Sequence, residues 1–147
     1  MEDYIVRMKQ IMSNLDDKKK RGYDIQTFIN LCEKVKDIAD QDTKTLITET
    51  FQLLIQLSED EAMKPKEYFK SFVKLKMEVK SKYGFRPKGA IQSEYIGFGV
   101  AIGLCFGAAF VFVNVAFIGI GIPIGIAIGA GIGSQKEQEE LDKGNLY

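Results

Sequence analysis

YIGFGVAIGLCFGAAFVFVNVAFIGIGIPIGIAIGAGIG, residues 95–133, is a run of 39 residues without one charged side chain. Ten of the chain's 14 glycines lie in it. Gly99, Gly103 and Gly107 recur at spacing four, and so do Gly121, Gly125, Gly129 and Gly133. That spacing places residues on one face of a helix. A glycine face is smooth, so a second backbone can approach it closely, as it does between membrane helices.

The run contains a repeat. IGFGVAIGLCFGAAF, from Ile96, aligns with IGIGIPIGIAIGAGI, from Ile118, at an offset of 22 residues and with seven of 15 positions identical. A repeat reports one structural unit used twice. A single helix of 39 residues would be about 58 Å long, whereas the hydrocarbon core of a bilayer is about 30 Å thick. Cut at Asn114, the segment gives two halves of about 28 Å each. Asn114 is the one strongly polar side chain in the run, and Asn favours turns. The expectation is a transmembrane helical hairpin with spans at about 95–113 and 116–133 and a turn at Asn114. Large and small residues alternate strictly over 118–129, which is a strand period. Pro123 and the glycines oppose a strand, and a lone strand hairpin would leave unpaired edges in lipid. Pro123 suits a helix that starts near Ile120, where the proline falls in the first turn.

Upstream, residues 1–83 read as a small amphipathic helical bundle. A first helix over 2–20 carries Tyr4, Ile5, Met8, Ile11, Met12 and Leu15 as one stripe. It ends in the basic run Lys18 to Arg21, a solvated last turn favoured at a helix C-terminus, and Gly22 stops it. Asp24 is the expected N-cap of a second helix whose stripe is Ile25, Phe28, Leu31, Cys32, Val35 and Ile38. A third runs from about Thr43 to Leu57. An acidic connector precedes Pro65, which suits the first position of a fourth helix. Gly84 and Pro87 end that helix, and residues 84–94 form a linker. Residues 134–147 are a polar tail. The fold class expected is therefore all-α: bundle, linker, hairpin, tail.

Charge is neutral overall, with 20 basic and 20 acidic residues, but it is unevenly placed. Lys76, Lys80, Lys82, Arg86 and Lys88 immediately precede the first span. Such residues favour the cytoplasmic side and anionic headgroups. A hairpin leaves both termini on that side. The N-terminus lacks the apolar run of a secretory signal. The chain has no histidine, which removes the commonest general base and metal ligand. The G-x-G patterns lack the Lys-Ser/Thr and the strand–loop–helix setting of a phosphate loop, and no cysteine spacing suits a metal. Cys32 and Cys105 read as separate buried thiols. No catalytic, cofactor-binding or metal residue is expected, nor nucleic acid as a partner.

The paired runs around GVAIGLCFG and GIPIGIAIGAGIG resemble the glycine-zipper hairpins of small bacterial membrane proteins, over about residues 95–134. That resemblance implies close helix packing and self-association at the bacterial inner membrane, with Gly99, Gly103, Gly107, Gly121, Gly125, Gly129 and Gly133 as the packing positions. It transfers no active site. The bundle is similar to bacteriocin immunity proteins in size and class alone. The expected role is protein–protein interaction at the membrane, immunity-like or regulatory, with the lipid bilayer, further copies of the chain and an unidentified protein as partners. The alternative is an oligomeric pore-former of holin or toxin type.

Overall fold

The computed structural model describes residues 2–60, 64–109 and 116–147, the side chains of 116–118 excepted. Their regular elements are all helices, in the order α1 (Glu2–Asn14), α2 (Asp17–Gly22), α3 (Ile25–Val35), α4 (Gln41–Glu59), α5 (Lys66–Tyr83), α6 (Ala90–Ala109) and α7 (Ala116–Asp142). Among them no strand occurs, only an isolated parallel bridge between Arg86 and Leu146. The chain divides into two compact units: residues 1–85 with Tyr147, and residues 86–146.

In the first unit α1 packs on α3 and α4, and α4 packs on α5. The stripes read from the sequence meet in one core. Phe28 of α3 lies against Phe72 of α5 with ring centroids 5.2 Å apart, and Tyr68, Met8, Ile25, Ile47 and Leu54 are fully buried with them. Each such side chain contributes about 1.5–3 kcal/mol of hydrophobic burial. The Tyr68 hydroxyl donates to the Tyr23 carbonyl at 2.8 Å, so the one polar atom that this large ring carries into the interior is satisfied.

Polar contacts set the register of α4 against α5. Thr43 and Thr50 are the two buried polar residues of the core. The Thr43 hydroxyl donates to Glu78 at 3.3 Å and meets the Tyr83 hydroxyl at 3.3 Å. Thr50 meets the Ser71 hydroxyl at 2.7 Å. The start of α4 thus faces the end of α5, and the two helices are antiparallel.

The expected first helix over 2–20 is two helices. The chain breaks at Asp16, whose backbone is extended (φ −69°, ψ 158°) and whose carboxylate accepts from the Lys19 amide at 2.6 Å. An Asp in that conformation caps a new helix more favourably than it continues an old one. Asp24 occupies the N-cap position of α3 but does not cap it through its side chain. Its backbone is left-handed (φ 53°), a conformation that Asp tolerates better than most residues, and its carboxylate pairs with Lys76 Nζ at 3.5 Å. At α4 the cap is Asp40, which accepts from the Thr43 amide at 2.9 Å. Pro65 precedes α5 as its N-cap residue, one position earlier than expected. Gly84, at φ 75°, ends α5 in the left-handed conformation.

The second unit pairs α6 with α7. Both helices extend beyond the expected spans. The linker stops at Gly89, and α6 begins at Ala90, because Gly89 at φ 82° turns the chain directly into the helix. The expected tail is mostly helix, since α7 runs on through the charged residues to Asp142 and ends before Gly144 at φ 72°. Pro123 lies inside α7, which starts upstream of Ile120. The ring removes one backbone donor and crowds the carbonyl four residues back; that residue is Gly119, where a side chain would meet open space. The expected turn at Asn114 lies outside the described residues.

Candidate functional site: the glycine face between α6 and α7

Ordinary packing puts large apolar side chains inside. The second unit does the reverse. Gly99, Gly103 and Gly107 on α6 and Gly121, Gly125, Gly129 and Gly133 on α7 are buried. The large side chains point outward: Phe98, Ile102, Leu104, Phe106, Ile120, Ile124, Ile126, Ile128 and Ile132 are 40 to 69% exposed. Gly97, Gly119 and Gly131, which interrupt the spacing of four, are exposed.

The glycines meet in reciprocal pairs. A Cβ built on Gly99 would strike the Gly125 carbonyl, and one built on Gly125 would strike the Gly99 carbonyl. Gly103 and Gly121 stand in the same relation. A Cβ on Gly129 would lie 3.0 Å from Ile96 Cα, and one on Gly133 would lie 2.9 Å from Gln92 Cα. At these positions backbone touches backbone, and no larger residue fits without the helices parting. Gly97, Gly119 and Gly131 have nothing within 4 Å of such an atom.

The charged end of the pair is held by polar side chains, of which the sequence pattern singles out Arg86 alone. Glu137 of α7 accepts from the Gly89 amide through one carboxylate oxygen and from the Gln92 amide at 3.0 Å through the other. It therefore caps the N-terminus of α6 from a neighbouring helix, where a carboxylate also meets the favourable end of the helix dipole. Gln92 donates to the Ser134 hydroxyl at 3.0 Å. Arg86 donates to Glu94 at 2.9 Å, and its amide donates to the Asn145 carbonyl at 3.0 Å. At the end of α7, Lys143 and Asn145 both donate to Glu140 and hold its carboxyl below the usual range.

The five basic residues picked as membrane-orienting fall into two groups. Lys80 and Lys88 are exposed. Lys76 pairs with Asp24 and lies 4.3 Å from the centroid of the Phe72 ring. Lys82 donates to Asp40 at 2.7 Å and pairs with Glu78 at 2.9 Å, which raises its pKa and lowers that of Asp40. Arg86 is held by Glu94. Linear sequence shows the basic run but not the acidic residues that α4, α3 and α6 bring to it.

The two thiols differ in setting. Cys32 is buried in the bundle core, and burial pushes its pKa up to about 12. Cys105 is exposed on the outer side of α6 rather than buried as expected. Among the described residues no group of three or more His, Cys, Asp or Glu side chains is arranged to hold a metal. By length and composition α6 is apolar enough to cross a membrane, and it is the one such helix among the described residues. Over its described residues α7 does not reach the same combination of length and hydropathy. Comparison with known protein families, with curated proteins and with solved structures returned no match.

Proposed function

We propose that the chain is a small integral membrane protein of the bacterial inner membrane, in which α6 and α7 form a glycine-zipper hairpin and the helical bundle acts through protein–protein interaction. The single observation that carries this reading is the inversion of the second unit, with glycine inside and Phe, Ile and Leu outside. In water that arrangement would expose an apolar surface with nothing to gain from it. In lipid it is favourable, because the bilayer solvates the aliphatic surface and close backbone contact supplies the packing. The absence of charge from residues 95–133 agrees with it.

Both termini are assigned to the cytoplasm. Lys76, Lys80, Lys82, Arg86 and Lys88 precede the hairpin, and orientation follows the number of Lys and Arg near a span rather than net charge. The ion pairs made by three of them therefore leave the argument intact. The buried glycines hold the hairpin together, and the exposed ones, Gly97, Gly119 and Gly131, are contact points for further copies. The bundle carries the partner-reading surface, in an immunity-like or regulatory role. A pore is the weaker alternative, since the outward side chains are aliphatic and aromatic and supply no polar lining for water.

The test is fractionation with reporter fusions. The full chain should remain in the membrane pellet after alkaline carbonate washing. A reporter active only in the cytoplasm should fluoresce when fused to either end. Release into the supernatant, or opposite signals from the two ends, would refute the hairpin. Dye leakage from cells on induction would favour the pore.

A further inference from the structure

We infer that the outer face of α4 and α5 is a self-association surface, on which a second copy of the chain docks about a two-fold axis running along the groove between these helices. The argument stands apart from the placement of α6 and α7.

The groove is open, with a volume of about 1010 Å³. Leu46 and Leu53 of α4 and Val73 and Met77 of α5 line it. Val73 is 49% and Met77 66% exposed, so the apolar stripe of α5 continues out of the core onto the surface. The groove also has charged walls: the α4 side is acidic, with Asp42 and Glu49, and the α5 side carries Lys70, Lys74 and Lys82 beside Glu67 and Glu78, with Glu49 and Lys74 both exposed.

The contacts that fix the α4/α5 register also fix the levels along the groove. Thr50 meets Ser71 and Thr43 meets Glu78 and Tyr83. With antiparallel helices, Lys74 then lies within two residues of the level of Glu49, about 3 Å along the groove. Among the described residues neither Glu49 nor Lys74 makes an ion pair within the chain. A two-fold axis along the groove lays α4 of one copy over α5 of the other at the same level. Glu49 of each copy then faces Lys74 of the other, and the exposed Val73 and Met77 of each copy are covered by α4 of the other. An axis across the groove would stack α4 on α4 and bring acidic wall to acidic wall. The face is thus complementary to itself in one orientation. Isologous contacts are made twice, so each favourable pair counts double. Charge complementarity sets orientation, while the apolar floor supplies burial.

The experiment uses the full-length chain with Met77→Cys in a Cys105→Ser background, treated with a short bismaleimide in membranes and in mild micelles; Cys32, buried in the core, does not compete. A covalent dimer is expected. Glu49→Lys or Lys74→Glu alone should lower its yield about tenfold, since two pairs become repulsive at once. The double reversal, E49K with K74E, should restore it, and recovery separates a lost contact from a lost fold. Absence of the dimer, an adduct to a different protein in its place, a yield indifferent to either single reversal, or no recovery in the double variant would each overturn the proposal. Indifference to charge would assign dimerisation to the apolar helices.

Discussion

Replacing Gly125 by alanine should loosen the α6–α7 pair, whereas the same change at Gly97 should not. A Cβ at Gly125 would stand 2.8 Å from the Gly99 carbonyl carbon and 3.2 Å from Gly103 Cα, where ordinary contact begins at 3.4 Å. The carbonyl carbon alone demands a movement of 0.6 Å, the difference between 3.4 and 2.8, and the Gly99 carbonyl oxygen, which lies nearer still, demands more. The obstructing atoms are backbone, so the strain cannot be relieved by a rotamer change. Overpacking costs about 1–3 kcal/mol, and a rigid backbone places this case near 3. The loss extends along the interface, because a gap of about 0.5–1 Å forfeits a quarter to a half of each dispersion contact. Against this, Ala is a better helix former than Gly by about 1 kcal/mol. The net expectation is a loss of about 2 kcal/mol at Gly125. At Gly97, with nothing within 4 Å, only the propensity term remains, a gain of up to about 1 kcal/mol. The assay is energy transfer between labels on cysteines placed at Ser93 and Gln135, in a Cys105→Ser background, followed through SDS titration from mild micelles. Gly125→Ala should lower the SDS concentration at the midpoint and Gly97→Ala should leave it or raise it. Equal shifts for the two variants, or an unmoved midpoint with Gly125→Leu, would refute the backbone-contact reading.

The remaining expectations concern the ends of helices and the core thiol. Asp40 caps α4 and binds Lys82, and its folded pKa is held below the ordinary 3.8. A carboxyl depressed on folding contributes stability that is fully present above its unfolded pKa and is lost as the pH falls through the folded one. Asp40→Asn should therefore lower the thermal midpoint of the bundle at pH 7 by more than at pH 2, and equal differences at both pH values would contradict this. Glu137→Ala should leave the first-turn amides of α6 without their acceptors, cost about 1 kcal/mol, and speed hydrogen exchange at Gly89 and Gln92. Exchange unchanged at these two amides would count against the cap. Maleimide at pH 8 should modify Cys32 only after denaturation, because the buried thiol with its pKa near 12 supplies almost no thiolate; peptide mass spectrometry reads the result, and modification in the folded chain would contradict it.

Helical periodicity made much of this architecture legible in the sequence. The stripes of α3, α4 and α5 are local patterns, and Gly84 marks its stop by its own conformational freedom. Spacing of four also separates the buried glycines of α6 and α7 from the exposed Gly97, Gly119 and Gly131. What the sequence hid is non-local or competitive. The break at Asp16 depends on a cap that wins over a continuous apolar stripe. The pairing of Lys82 with Asp40 joins residues 42 positions apart, and Glu137 reaches an amide 48 positions away. Nothing in the run KEQEE, which reads as solvated charge, distinguishes the glutamate that turns inward.

A face that repeats every four residues is nearly degenerate along its own axis. Sliding α7 by one residue would drive an isoleucine into a backbone, but sliding it by four would set glycine on glycine again, about 6 Å away. Close packing alone therefore permits a small set of registers and does not choose among them. The choice falls to Glu137, because its two oxygens reach the Gly89 and Gln92 amides in one register only. The apolar interface supplies cohesion without address, and a single carboxylate at its edge writes the address.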